Sequence, residues 1–292
     1  MAFRTLQNIL DNNEQDNLIV AGLVQKYLQT NEYLAWADAQ VTTKPKIIVN
    51  SIADYGAVQK GMDCNTDYTS VPISGASDEF ELVKYGRQFE TCLDVIGLGS
   101  DYVDQLAEDT GGALKAIANE IAVDAITGTG NDEIAGLNTL ITDSVAAANV
   151  GGAGDVESLW YLFDQVKAKS DKMALVMNAR TKRAVLSELL SVLQVGTQEL
   201  KGTSFVVPSF NGAAILVNDA MTNGDIALIN GGFDEGIFPV IGAFPSNKLD
   251  IFNFYKVGMS QTKDTDLYRL NIHAAHVRKS RQAAAKITGW VA

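Results

Sequence analysis

The chain has 292 residues, 47% apolar and 20% charged, with 35 acidic against 23 basic side chains and a formal charge of −12. That is enough apolar material for a sizeable core, and the acidic balance excludes a tight general binder of nucleic-acid backbones. Two cysteines without metal spacing, Cys64 and Cys92, exclude a disulfide framework and suit a reducing compartment, and no run approaches the roughly 20 apolar residues of a membrane span.

The elements follow in chain order. Residues 1–20 are interrupted by Asp11, Asn12, Asn13, Glu14, Gln15 and Asp16, which argues against a signal peptide and for a soluble protein made in the cytoplasm. Ile9, Leu10, Leu18, Ile19, Leu23, Val24, Tyr27 and Leu28 predict an amphipathic helix, with Leu34 and Trp36 in a less regular stretch after it, and the whole reads as an arm. Ile47 to Val49, residues 69–73 and residues 80–95 are strand-like. In the last of these, Phe89, Thr91, Leu93 and Val95 alternate with Gln88, Glu90, Cys92 and Asp94. A polar tip at residues 60–69 makes this an extended hairpin, which alone is barely stable in water and needs a partner surface.

Residues 100–127 carry the clearest signal. Val103, Leu106, Ala107, Ala113, Leu114, Ile117, Ala118, Ile121, Ala122, Ala125 and Ile126 recur at the period of one helix face. Ser100 is the expected N-cap, and Asp101, Asp104, Glu108 and Asp109 suit the positive end of the helix dipole. The helix would be roughly 40 Å long at about 1.5 Å per residue, against a radius of gyration of about 19 Å for a compact chain of this size. Gly111 and Gly112 predict a bend, since each costs about 1 kcal/mol relative to alanine in a helix interior.

Residues 145–154 read as a small-residue linker, after which Asp155 opens a helix with Leu159, Phe163 and Val166 inward. Met173 to Met177 is a buried-strand run, and Asn178 caps a helix lined by Ala184, Val185, Leu189 and Leu193 that Gly196 would end. Ala213 to Val217 and residues 225–229 are short apolar strands. Leu249 to Tyr255, Leu267 to Val277 and Ala283 to Ile287 are expected to be antiparallel, with turn material at residues 258–266. The fold class is α+β.

This order of arm, hairpin, long helix, α/β insertion and returning strands resembles the tailed-bacteriophage major capsid proteins, whose fold is shared by encapsulins and the herpesvirus capsid floor. The likeness is carried by residues 127–137 (Thr-Gly-Thr-Gly-Asn-Asp-Glu-Ile-Ala-Gly-Leu), 175–181 (Leu-Val-Met-Asn-Ala-Arg-Thr), 210–217 (Phe-Asn-Gly-Ala-Ala-Ile-Leu-Val) and 281–289 (Arg-Gln-Ala-Ala-Ala-Lys-Ile-Thr-Gly). The resemblance implies an N-terminal arm over residues 1–40 and an extended loop over 41–98. It implies a peripheral domain with a spine helix over 99–140 and 249–292, and an axial domain over 141–248. It further implies an icosahedral shell around double-stranded DNA, located in the virion. The partners would be copies of the chain in pentameric and hexameric rings, a separate scaffolding protein, a portal, a decoration protein on some shells, and DNA held weakly. The start near the arm argues for that separate scaffold, and a lysine–asparagine crosslink is not assigned. Trp36, Tyr55, Tyr68, Lys84, Arg87, Arg278 and Arg281 are the candidate contacts between copies.

Residues 128–133 lack the third glycine of a dinucleotide fingerprint and follow a helix, so they read as helix termination. His273 and His276 point to opposite strand faces and do not chelate one metal together. No cofactor, metal or catalytic residue is expected. The alternatives are an encapsulin-type compartment and, remotely, a hydrolase using an acidic pair such as Asp234–Glu235 or Asp264/Asp266. The basic cluster Arg278, Lys279, Arg281 and Lys286 is read as a solvated face or as a dock for an acidic neighbour such as residues 78–81.

Overall fold

The computed structural model describes residues 27–28, 30–54, 74–92, 102–147, 154–167, 170–191, 195–200, 206–243, 251–260 and 262–290. The expected N-terminal helix up to residue 26, the hairpin tip and the Ser100 cap lie outside them. In chain order the elements are α1 (Glu32–Trp36), β1 (Gln40–Thr42), β2 (Lys46–Asp54), β3 (Ser74–Glu81), β4 (Val83–Cys92), α2 (Tyr102–Thr127), α3 (Leu137–Leu140), β5 (Ser144–Ala146), α4 (Val156–Gln165) and β6 (Met173–Met177). Then come α5 (Ala179–Ser191), β7 (Gly196–Glu199), β8 (Val206–Phe210), β9 (Ala213–Val217), β10 (Ile226–Asn230), β11 (Ile237–Gly242), β12 (Phe252–Met259), β13 (Thr265–Arg278) and β14 (Ala284–Thr288).

The helix α2 runs unbroken through Gly111 and Gly112, which do not end it. Its inner stripe, Ala113, Leu114, Ile117, Ala118, Ile121, Ala122, Ala125 and Ile126, is buried throughout. Burying a side chain the size of leucine or isoleucine contributes about 1.5–3 kcal/mol, which outweighs the glycine cost.

Two sheets flank this helix. In the five-stranded sheet, β13 pairs with β4 along one side and with β12, then β11, along the other, and β1 adds in parallel to β11. In the seven-stranded sheet the order is β5-β14-β10-β6-β9-β8-β7. Helices α4 and α5 cover one face of it with Leu159, Leu162, Phe163, Val185 and Leu189. Asp155 caps α4 by accepting from Glu157 N at 3.2 Å, and Asn178 accepts from Arg180 N at 2.8 Å.

Several expectations change. The run read as one strand over residues 80–95 splits at Leu82: β3 pairs with β2, while β4 joins the five-stranded sheet. Gly196 does not simply stop a helix but opens β7, and part of the expected linker is the strand β5, parallel to β14. The strands also cross the expected domain limits, since β11, within 141–248, pairs with β13, while β14, within 249–292, lies between β5 and β10. Pro239 is tolerated in β11 because β1 begins opposite Val240, so the missing N–H falls where that edge has no partner among the described residues.

Candidate functional site

The features that distinguish this molecule are surfaces. The ribbon β2–β3 pairs from Lys46↔Glu81 to Asp54↔Ser74 and belongs to neither sheet. Its root is held by a small apolar cluster of Ile47, Val49, Phe80 and Leu82 against Phe238, Val240, Ala275 and Val277. Leu82 N donates to Pro45 O at 3.1 Å where the chain passes into β4. On the ribbon Ile48 is 62% exposed, and Lys46 pairs with Glu81 and Glu79.

The root is tied to the body by Arg278, which donates to the carbonyl of Leu140 and pairs with Asp78 at 3.4 Å. One residue pair behind it, Tyr85 Oη donates to Asp124 of α2 at 2.6 Å and accepts from Ile134 N at 3.2 Å. Burial and the Asp124 hydrogen bond both raise the Tyr85 pKa, keeping the phenol protonated as a donor. Beyond Asp124 the turn closes tightly: Gly136 N donates to Gly128 O at 2.9 Å, and Thr139 Oγ1 to the same carbonyl at 2.8 Å.

Helix α1, just before β1, packs inward on its own chain. Tyr33 Oη lies 2.6 Å from His276 Nε2 in the five-stranded sheet. Glu32 accepts from Val217 N at 2.8 Å and pairs with Lys182 at 3.4 Å in the other half. Helix α1 is therefore a staple between the two sheets. Burial lowers the His276 pKa to about 4 and raises that of Tyr33, so both are neutral at pH 7.

The expected contact residues are thus scattered. Trp36 is 4% exposed, packed against Gly231 with the Lys172 ammonium 5.6 Å from its ring, and is a core residue of its own chain rather than an outward anchor. Tyr55 and Tyr68 lie outside the described residues. Lys84 and Arg87 are exposed on β4, three residues apart and so on opposite faces. Arg278 meets Asp78, in the acidic segment expected as its dock, within one chain. Of the remaining basic cluster, Lys286 is bound to Asp225 at 2.8 Å and Lys279 sits over Phe238, while Arg281 is exposed in a short 3-10 turn. No group of three or more His, Cys, Asp or Glu fit for a metal occurs among the described residues. No described helix is long and apolar enough to cross a membrane.

Sequence reasoning missed Glu32, Tyr85 and Asp124, whose roles depend on partners 39 to 185 positions away. It also missed the outer face of α4, where Glu157, Trp160, Tyr161 and Asp164 at i, i+3, i+4 and i+7 gave a readable signal.

No family model matches the chain, and no curated protein matches it in sequence. Its structure is similar to the SrpI encapsulin of Synechococcus elongatus PCC 7942, with a TM-score of 0.67 at 14% identity over 99% of this chain and 96% of that one. It is similar to the capsid of a native GTA particle, with a TM-score of 0.66 at 13% identity over 90% and 91% of the two chains. A satellite phage P4 procapsid that includes the size determination (Sid) protein gives 0.55 at 9% identity over 93% and 99%. The fold is that of the tailed-phage major capsid proteins. Ribbon β2–β3 and helix α2 stand where the sequence reading expected the extended loop and the spine helix of that fold. Shell proteins of both kinds, phage capsids and encapsulins, share it.

Proposed function

We propose that this chain is the major capsid protein of a tailed phage, self-assembling into an icosahedral head that encloses double-stranded DNA. The observation that carries the reading is the β2–β3 ribbon. It is a two-stranded sheet with no place in either larger sheet; one face of its root packs on its own chain, while Ile48 on the other face stays exposed and gains from a covering surface. A second copy supplies that surface in any shell built by head-to-tail contacts. The charge of −12 suits a wall that must not grip its genome.

On this reading the chain has no catalytic role. It works with copies of itself in pentamers and hexamers, a separate scaffolding protein, a portal, and on some shells a decoration protein. It is made in the host cytoplasm and resides in the virion. The second reading, an encapsulin-type compartment, is favoured by the likeness to SrpI over 99% of the chain. Negative-stain microscopy of particles from cells expressing the chain with its flanking genes, followed by analysis of their contents, separates the two. Nuclease-protected DNA is expected. A defined protein cargo without DNA supports the compartment, and absence of particles removes both.

A further inference from the structure

The axial half carries two helix faces of opposite chemistry that no element of the described chain covers. Helices α4 and α5 lie on the same side of the seven-stranded sheet and touch each other, α4 packing on β14 and β10 and α5 on β9. Away from the sheet, α4 presents Glu157, Trp160 and Asp164, with Tyr161 half-buried beside them. Trp160 is 41% exposed, although Phe210 and Phe163 fix its ring from behind at centroid distances of 5.1 and 6.1 Å. A large aromatic ring held rigid and left open to water is what a contact anchor requires. The outer face of α5 presents Arg180, Arg183, Ser187 and Leu190, the last 64% exposed. Glu157, Asp164, Arg180 and Arg183 form no side-chain ion pair among the described residues.

We propose that in the assembled protein the acidic–aromatic face of α4 docks on the arginine face of α5 in a second copy. The spacings match. Arg180 and Arg183 are about 4.5 Å apart along their axis, and Trp160 has Glu157 about 4.5 Å before it and Asp164 about 6 Å beyond. With one guanidinium flat over the indole, the other reaches a flanking carboxylate, combining a cation–π contact with a charge-assisted hydrogen bond. Where α4 of one copy docks on α5 of the next and leaves that copy's α4 for a third, the contact is heterologous: each copy offers α4 to one neighbour and α5 to the other, and a suitable rotation closes a ring. Lysines in place of the arginines would lose the stacking and the forked donors.

This inference rests on the proposed self-assembly and names a surface for it. The test uses the full-length chain, with oligomers measured by native mass spectrometry and light scattering and with folding checked by thermal melting. Arg180→Glu/Arg183→Glu and Glu157→Arg/Asp164→Arg are each expected to lower ring yield by about tenfold or more, with unchanged melting, and the combined four-site reversal to restore it. Trp160→Ala also removes the packing of the ring on Phe163 and Phe210, so it is expected to lower both ring yield and the melting temperature of the monomer, and the charge reversals carry the test. Single-sided reversals that assemble like the wild type, or a folded four-site variant that stays dispersed, would overturn the docking while leaving the shell function standing. A wild-type chain that forms no oligomer under any of these conditions would overturn both.

Discussion

At the scale of single residues, burial keeps His276 uncharged against Tyr33, and this sets a direction for acid sensitivity. The folded-state pKa is about 4 against about 6.5 in an unfolded chain, so the unfolded chain binds the extra proton between those values. The stabilisation is complete above about pH 6.5 and fades as pH falls toward 4, amounting to about 3 kcal/mol at about 1.4 kcal/mol per pH unit. Urea midpoints measured at pH 7 and 4.5 should fall more for the wild type than for His276→Gln. Two glycines should respond in opposite ways. A Cβ on Gly112 meets nothing within 4 Å, so Gly112→Ala is expected to stabilise by about 0.5–1 kcal/mol. A Cβ on Gly128 would lie 2.0 Å from the Ile134 carbonyl oxygen, so Gly128→Ala should destabilise by more than about 2 kcal/mol through the displaced turn. Thermal melts of the two variants check both signs.

At the scale of elements, the hydrogen bond from Tyr85 to Asp124 ties the root of β4 to the spine helix. Asp124 is 8% exposed, so Tyr85→Phe leaves a buried carboxylate short of a donor and should cost about 1–3 kcal/mol in chemical denaturation. Ile48→Asp is the contrasting case: 62% exposed, it should shift monomer stability by less than about 0.5 kcal/mol while lowering shell yield in sedimentation. The spine helix was legible because its apolar stripe keeps one period over seven turns. The split at Leu82 was not, because β3 and β4 continue the same alternation and only their pairing partners differ. Strand β7, reading Gly-Thr-Gln-Glu, has no apolar alternation to find, and β5 hides among alanines and glycines. The burial of Trp36, expected as a core or interface anchor, was not legible because the close approach it needs is supplied by Gly231, nearly 200 residues further on. The pairing of Arg278 with Asp78 fell within one chain for the same reason: the charge complementarity was visible, and the topology that satisfies it was not.

At the scale of the whole molecule, the two sheets are not separable bodies. β13 is the central strand of one, and after a single 3-10 turn β14 lies inside the other. Helix α1 joins them again through Glu32 and Tyr33. Unfolding of the monomer should therefore be one transition seen alike by tryptophan fluorescence and far-ultraviolet dichroism, with no plateau in which half the chain survives. Assembly should raise the apparent melting temperature with protein concentration, since only the folded state enters a shell.

The passage of the C-terminal strand from one sheet to the other also has a mechanical meaning. In the proposed shell, a wall swollen from within would pull the two sheets of each subunit apart, and the strand that would carry that load is hydrogen-bonded on both flanks, from Ile226 to Ile229 on one side and Ser144 to Ala146 on the other. Hydrogen bonds loaded in shear break together rather than one by one, so such a subunit would resist rupture where a simple hinge between sheets would give way.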